Sequence, residues 1–560
     1  MRGTFEGILC CGAALLLAAS PASGETQAAP PASRSNSVYD QLVTLFKEWR
    51  AFERPEMRDG APDYSAAAMA KKHAGLKDFQ ARLAAIDVAS LPVGQQIDHH
   101  LVRAEMNGLD FNVRVLKSWE RDPAFYQSVW TDQSDTPEHE GPMHHAPVEL
   151  WTYDFPLDRQ AEAKLLREVR TIPPLLKQAR SNLTGNARDL WTASIRTMRG
   201  QAEALRELRT KVRSPALRSA VDEARASTES FVTWLEAEAP SKTGPSGIGK
   251  DNYTWYLRNV HLVPLSWDEE VAILKRELGR AHAQLRLEEH RNRHLPPLSS
   301  AASAEEYRNR SLASVRKYVQ FMRDKDILPV KNYMQPSLDR RIGSFVAPDA
   351  QNFFQLAMHR EIMTLLTHFY HWWDLEMMRE EPHPSPIRRG ALLYNIWDSR
   401  SEGMATAMEE MMLHAGLYDD NPRVREVVWI MLAQRAARGL GSLYQQANMF
   451  TMKEASDFQV RWTPNAWMSP KPDLLAFEQQ LYMRQPGYGS SYVSGKHQIE
   501  KLLGDYADMK GRDFRLSDYF SALNASGLIP VSLIRWEMTG RDDEIKALLD
   551  GQIAAPPPVK

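Results

Sequence analysis

The chain has 560 residues, and its 69 Lys and Arg residues nearly balance its 71 Asp and Glu residues, which leaves a formal net charge of −2. A chain of this length forms a large core or more than one domain. Balanced charge supplies no field that would hold nucleic acid or an anionic membrane surface, so we expect neither as a partner.

Residues 1–24 predict a signal peptide. Arg2 precedes an apolar run from Ile8 to Ala19, which is too short to remain as a membrane anchor. We expect cleavage near Gly24, which removes both cysteines and leaves only nitrogen and oxygen ligands for any metal. No later apolar run reaches membrane length. The sequence therefore predicts an exported protein, periplasmic or extracellular, that is soluble after cleavage.

The rest of the chain predicts a mainly α fold. Apolar residues recur at spacings of three and four, which is typical of amphipathic helices, and strand signals are few. We expect disorder at 25–36 and 549–560. A segment rich in Pro, Gly and Ser at 239–253 predicts a boundary between a front helical region, 37–240, and a back helical region, 250–548.

Three helix starts in this region have the spacing of a capping box, in which a side chain and a backbone amide satisfy each other. They are Ser266 with Glu269, Ser303 with Glu306, and Thr451 with Glu454. The irregular zone at 328–351 could hold a few short strands.

A histidine-rich stretch at 357–374, "AMHREIMTLLTHFYHWWD", raises the question of a metal site. On a continuous helix His359 and His368 would face opposite sides and lie more than about 10 Å apart, so one ion could not bridge them. Only His368 and His371, at i and i+3, could bind an ion together. Otherwise these histidines are hydrogen-bonded residues of a buried helix.

Two later segments carry further polar candidates. Glu402 opens a helix, where a lone acid is favoured by the helix dipole alone. The turn at 486–489 precedes a helix expected to begin near Ser490, whose backbone amides could form an anion or oxyanion site. Around that site we expect Tyr488, Tyr492 and Lys496.

A loop at 138–151 is a rival metal cluster. It contains His139, Glu140, His144 and His145. Adjacent histidines in a proline-containing loop are more often surface features, which is the alternative to a metal site here.

Four motifs in the back half carry a resemblance to a known family. They are "SEGMATAMEEMMLHAGLYDD", "RAARGLGSLYQQANMFTMKEASDF", "YMRQPGYGSSYVSGKHQI" and "GLIPVSLI". In this order, within 252–538, they resemble the bacterial domain-of-unknown-function family 885, whose exported helical members look like zinc metallopeptidases. The resemblance implies a large multi-helix, zincin-like architecture of the gluzincin type.

The family's metal helix reads His-Glu-x-x-Pro-Gly-His, with two histidine ligands and a glutamate that activates water; the glutamate of its Glu-Gly-Trp helix resembles a third ligand. Aligned without gaps, His359 keeps the first place and Arg360 replaces the glutamate. The Pro, Gly and second His are replaced by Met363, Thr364 and Leu365. The resemblance thus implies a degenerate metal motif, in which Glu402, Tyr482, Pro486, Gly487, Tyr492 and Gly495 fit the family pattern.

This departure leaves the cofactor open between none and zinc. Arg360 would repel a dication and attract an acid such as Glu402. Zinc could be retained through an alternative set, in which His359, Glu361 or His368 joins Glu402. A local bulge in the helix could return Glu361 to the site.

Two functions of different classes follow from the resemblance. The first is an exported hydrolase for a small peptide or a carboxylate-bearing substrate, with catalytic roles at His359, Arg360, Glu361 and Tyr492. Substrate binding would fall to Arg360, His371, Tyr488 and Lys496. The alternative is a non-catalytic helical binding protein that keeps the cleft.

Overall fold

The structure is a computed structural model that describes residues 37–139, 141–468 and 472–550. The signal peptide and spacer expected at 1–36 lie outside the described residues, as do the tail from 551 onward and Glu140. The described residues from Val38 onward form one compact unit. Its described part is mainly helical, as the sequence predicts.

The described front of the chain contains eight α-helices and four two-residue strands. The strands are β1 Met57–Arg58, β2 Ala61–Pro62, β3 Val129–Trp130 and β4 Val148–Glu149. β1 pairs antiparallel with β2, and β3 pairs parallel with β4. The helices are α1 Val38–Glu53, α2 Ala66–Ala84, α3 Val93–Phe111, α4 Ser118–Arg121, α5 Arg159–Val169, α6 Ile172–Asn182, α7 Arg188–Lys211 and α8 Pro215–Glu238.

The described back of the chain is helical, with short 3-10 turns between some of the α-helices. The helices are α9 Lys250–Asn259, α10 Trp267–Arg291, α11 Ala304–Asp324, α12 Met334–Asp339, α13 Phe353–Glu361, α14 Met363–His368, α15 Tyr370–Glu380, α16 Asp398–Ala415, α17 Arg423–Gln446, α18 Met452–Trp462, α19 Pro472–Arg484, α20 Tyr488–Lys510, α21 Leu516–Ala525, α22 Val531–Thr539 and α23 Asp543–Asp550.

The prediction of short strands within 328–351 is wrong, because this segment contains α12 and a 3-10 turn. The three predicted helix starts are confirmed. Ser266 and Thr451 form complete capping boxes, whereas at Ser303 the partner Glu306 accepts instead from the amide of Ala302. No helix among the described residues combines the length and the apolar character that crossing a bilayer requires.

Two hydrophobic cores form within the unit. The smaller core uses residues of 61–235 together with Met483. The larger core combines α1 and α3 with the back of the chain, and α17 is buried on nearly all sides at its centre. A helix buried all round is an interior helix, so the elements that pack on it are themselves deep in the protein.

α16 and α20 approach each other closely at two glycines. A Cβ at Gly403 would lie 2.4 Å from the backbone carbon of Gly495, and one at Gly495 would lie 2.3 Å from the carbonyl oxygen of Ser399. Only glycine allows this approach. The contact fixes the first two turns of α16 against α20, and the polar residues described below lie on these turns.

Gly403→Ala should therefore destabilise the protein by about 1–3 kcal/mol, because the added methyl group forces the two helices apart. Urea unfolding followed by circular dichroism measures the effect. Gly504→Ala on α20 is the control, since nothing lies within 4 Å of the added Cβ, and it should be neutral or stabilise by up to about 1 kcal/mol. Equal midpoints for the two variants would contradict the close packing.

Candidate metal centre

Three side chains from α14, α15 and α16 meet at one buried point. His371 Nε2 lies 3.1 Å and His368 Nε2 lies 3.9 Å from the same oxygen, Oε2 of Glu402. The candidate ligand atoms of the three residues lie within 4.8 Å of one another. His368 is 8% exposed, and His371 and Glu402 are 1% exposed. This is the one group of metal-ligating side chains found among the described residues.

The helix that carries the histidines is broken. In place of a continuous helix the structure has α13, α14 and α15, which meet at Ile362 and Phe369. His368 ends α14 and His371 lies in the first turn of α15, so the i and i+3 pairing expected from the sequence is retained across the second break.

The remaining ring nitrogens of both histidines contact α16. His371 Nδ1 lies 2.9 Å from the hydroxyl oxygen of Ser401. His368 Nδ1 lies 3.3 Å from a carboxylate oxygen of Glu409. The Ser401 hydroxyl is a partner of the kind that orients a metal-binding histidine and sets its tautomer, whereas Glu409 places a charge beside His368. Both Nε2 atoms are therefore left to face Glu402.

Two tyrosines at the start of α20 complete the centre. The Tyr488 hydroxyl donates to Oε1 of Glu402 at 2.5 Å, and the Tyr492 hydroxyl donates to the Tyr488 oxygen at 3.3 Å. The Tyr492 ring is parallel to the His368 ring, with centroids 6.1 Å apart. α20 begins after Gly487, whose φ of 89° is a left-handed conformation that favours glycine.

Two arginines of α17 lie beside Tyr492 and Glu409. The Arg438 guanidinium lies 3.9 Å from the centre of the Tyr492 ring. Arg435 lies 2.7 Å from Oε1 of Glu409. Burial raises the pKa of Glu409 to about 7, although Arg435 opposes this shift. Arg435 thus favours the ionised form of the carboxylate that contacts His368.

The charges at the centre are set by burial and by mutual attraction. Burial acts to lower the pKa of His371, but Glu402 outweighs it, and the pKa is raised to about 9. Burial acts to raise the pKa of Glu402, but His371 and Tyr488 hold it below its usual value. His371 and Glu402 therefore form an ion pair at neutral pH.

His368 is neutral by contrast. Burial and the positive charges of Arg435, His371 and Arg438 hold its pKa well below the usual value. A neutral imidazole is the form that binds metal ions. The centre thus contains a neutral histidine, a charged histidine and a carboxylate.

Asp135, between β3 and β4, interacts electrostatically with the centre and is not among the residues predicted from the sequence. It is half-buried, and its carboxyl group interacts electrostatically with both His371 and Glu402. Burial raises the pKa of Asp135, and His371 opposes the shift. Asp135 is far from the histidines in the chain and lies in no recognisable motif, so no local sequence signal could have found it.

Three residues proposed from the sequence lie elsewhere. His359 Nδ1 lies 2.8 Å from the carbonyl oxygen of Gln355, and its Nε2 accepts from the amide of Val346 at 2.8 Å. Its ring also stacks on Tyr307 at 4.3 Å. Both nitrogens are thus occupied, which corrects the expectation that His359 joins Glu402.

Arg360 and Glu361 also point away from Glu402. The Arg360 guanidinium lies 5.1 Å from the centre of the Trp467 ring. No ion pair between Arg360 and Glu402 occurs in the described part of the chain, so that expectation is wrong. Glu361 accepts from the amide of Met363 at 3.1 Å. The break after Glu361 does not turn its carboxylate into the group formed by His368, His371 and Glu402.

Lys496 lies in a buried ion network. Its ammonium group is 2.9 Å from Glu410 and also contacts Glu500. Arg280 pairs with the same Glu410 at 2.6 Å. Lys496 was expected near the oxyanion site with Tyr488 and Tyr492, but only the two tyrosines contact the centre directly.

The rival cluster at 138–151 does not gather into one ligand set in the described residues. His139 pairs with Glu149 at 2.8 Å, His145 with Glu53 at 2.7 Å, and His144 lies 3.1 Å from the Ser128 hydroxyl. Each histidine thus has a separate partner.

Comparisons with known proteins support the resemblance to family 885 over part of the chain. The model of the family described as "Bacterial protein of unknown function (DUF885)" matches residues 51–294. The match covers the front of the chain and α10, whereas the motifs that carried the resemblance lie mostly further along. The metallopeptidase resemblance and the degenerate motif stay predictions. No curated protein matches the chain.

Two solved structures, each described as a "putative lipoprotein", share the fold. The one from Shewanella oneidensis, of unknown function, is 16% identical, with a TM-score of 0.64, 90% of this chain covered and 99% of that chain. The one from Colwellia psychrerythraea is 13% identical, with a TM-score of 0.63, 92% of this chain covered and 100% of that chain. At these identities the likeness shows the fold alone.

The ion network around Lys496 gives a pH dependence. Burial acts to raise the pKa of Glu410, but Arg280 and Lys496 lower it from 4.5 to about 2. A lowered pKa contributes stability that is complete above pH 4.5 and is lost as the pH falls toward 2. Glu410→Gln should cost roughly 3 kcal/mol at pH 7, and urea titrations should show this difference shrinking below pH 4.5.

Glu305→Gln is the control, because Glu305 is exposed on α11. It should change the unfolding midpoint little at any pH. A Glu410→Gln penalty that stays constant down to pH 3 would contradict the role assigned to the network.

Proposed function

We propose that this chain, which matches bacterial family 885 over residues 51–294, is an exported metal-dependent hydrolase that acts on small peptides or other carboxylate-bearing substrates. One observation carries the proposal. Nε2 of His368 and Nε2 of His371 both face Oε2 of Glu402, while Nδ1 of each histidine contacts a residue of α16.

The residues fit a divalent metal. Two imidazoles and one carboxylate are a ligand set that zinc uses in hydrolases, and the second nitrogen of His371 has the oxygen partner that orients such a ligand. Glu402 supplies the negative charge, and His368 is already neutral. A zinc ion bound there would act as a Lewis acid on a substrate carbonyl group. The ligand set differs from the one expected first, since His371 takes the place of His359.

The chain's own groups supply the remaining parts of a hydrolytic site. The hydroxyl of Tyr488 fixes Glu402, and the adjacent Tyr492 hydroxyl is the donor placed to stabilise negative charge on a substrate oxygen. Asp135 is the carboxylate that can accept a proton, because it interacts with the His371 and Glu402 pair from another part of the chain.

Export is supported by the apolar leader of the sequence. The description of the two structural neighbours as lipoproteins points the same way, since bacterial lipoproteins are exported.

A non-catalytic binding protein is the second candidate. The resemblance places Arg360 where the family has the glutamate that activates water, and the Arg360 guanidinium lies on the Trp467 ring. A chain without that glutamate could retain the metal and lose the reaction.

Metal binding tests the proposal. The wild-type protein, stripped with a chelator and dialysed against zinc, should retain about one zinc ion per chain by mass spectrometry of the metal. His368→Ala, His371→Ala and Glu402→Gln should each weaken zinc binding more than tenfold, since ligands contribute at least as much as their supporting residues. His359→Ala is the matched control and should bind zinc as the wild type does.

The zinc-loaded protein should release new amino groups from a mixture of short peptides, and the chelated protein and Tyr492→Phe should be at least tenfold slower. Failure of the wild type to retain zinc would refute the metal centre. Zinc retention without any hydrolysis would favour the second candidate.

A further inference from the structure

A large cavity lies apart from the three metal ligands. Its volume is about 690 Å³, and it lies among the end of α1, α3, the segment 138–149 and residues 393–395. Sites for small ligands commonly enclose 300–1,000 Å³. None of His368, His371 and Glu402 lines it.

The walls of the cavity are largely aromatic and apolar. Tyr64, Trp119, Phe125, Tyr256 and Tyr394 line it, together with several prolines and methionines. Such walls suit apolar or aromatic groups, which gain free energy on leaving water.

Most polar groups in the cavity are satisfied by the protein itself. His145 Nε2 lies 2.7 Å from one oxygen of Glu53, and the Tyr394 hydroxyl donates to the other at 3.3 Å. The Tyr64 hydroxyl lies 2.9 Å from His145 Nδ1. These groups are joined in one chain of hydrogen bonds, so the carboxylate of Glu53 already has partners within the protein.

The other charged side chains that line the cavity have partners too, with two exceptions. Arg50 pairs with Glu105, Arg484 with Asp122 and Glu149 with His139, and Lys72 donates to a backbone oxygen. The exceptions are Arg54 and Glu138, which are exposed and have no ion pair within 4 Å among the described residues. One positive and one negative charge are thus left for a ligand.

Residues of the cavity are close neighbours of residues at the metal centre. Asp135 interacts electrostatically with the centre, and Glu138 lines the cavity. These two residues are three positions apart in the chain, so their backbones lie at most about 11 Å from each other. Gln485 lines the cavity and donates to Asp398, one turn before Glu402 on α16. Tyr394 and Asn395, also in the wall, have φ of 60° and 55°, strained values for these residues that are common at functional sites.

We infer that this cavity binds a short peptide with apolar side chains and both termini free, with the ammonium group at Glu138 and the carboxylate group at Arg54. The ligand's charges complement the two unpaired side chains, and its side chains contact the aromatic walls. That this peptide is the substrate rests on the proposed function, whereas its binding needs no metal.

Isothermal titration calorimetry on the metal-free protein tests the inference. The probes are Leu-Phe and Leu-Ala-Phe, which cover two spacings of the terminal charges, and the N-acetyl and C-amide forms of each. We expect the wild type to bind at least one of the free peptides and to bind its N-acetyl and C-amide forms about tenfold more weakly. Each of the two variants described next should lose its preference for one free terminus and keep its preference for the other.

Arg54→Gln should remove the preference for the free carboxylate over the amide and keep the preference for the free ammonium group. Glu138→Gln should do the reverse. Arg58→Gln changes an exposed arginine that does not line the cavity, and it should keep both preferences. Since each variant retains one preference, a folding defect cannot imitate the result.

Absence of binding by both free peptides, or equal binding of free and blocked forms by the wild type, would overturn the inference. His371→Ala separates it from the metal centre: this variant should lose zinc and keep the peptide preferences. Peptide binding without zinc binding in the wild type would refute the proposed function and leave the inference standing.

Discussion

The buried carboxylate of Glu402 determines the arrangement of the centre. An ionised carboxylate removed from water needs a close positive charge and hydrogen-bond donors, because its desolvation costs several kcal/mol. In this structure His371 supplies the charge and Tyr488 supplies a donor. A metal dication would supply the same charge in place of the proton of His371, so protons and metal compete for the site.

The surrounding helices maintain this arrangement. The glycine contact between α16 and α20 brings Glu402 within reach of Tyr488, and α17 adds arginines beside Glu409 and the Tyr492 ring. The front of the chain contributes Asp135 and one wall of the neighbouring cavity. A metal centre in the back of the chain and a peptide cavity beside it would thus be connected by one segment, 135–149.

Much of this could be predicted from local sequence. The helices and their capping boxes follow from apolar spacing and from side chains that satisfy backbone amides. The pairing of His368 with His371 follows from helix geometry, and Tyr492 of α20 fits the family pattern. The domain boundary expected at 239–253 and the zincin-like architecture stay predictions.

The errors have two physical causes. A continuous helix and an alignment without gaps placed His359 and Arg360 at the site, but breaks at Ile362 and Phe369 redirect the chain, and local spacing carries no signal for them. Asp135 reaches the centre through tertiary packing, which one sequence does not encode in any local pattern.

The measurement that tests the metal centre most directly is anomalous X-ray diffraction at the zinc edge from crystals of the zinc-loaded protein. We predict a single strong peak about 2 Å from Nε2 of His368, Nε2 of His371 and a carboxylate oxygen of Glu402. No peak there, or a peak beside His359, Glu361 or the histidines of 139–145 instead, would contradict it.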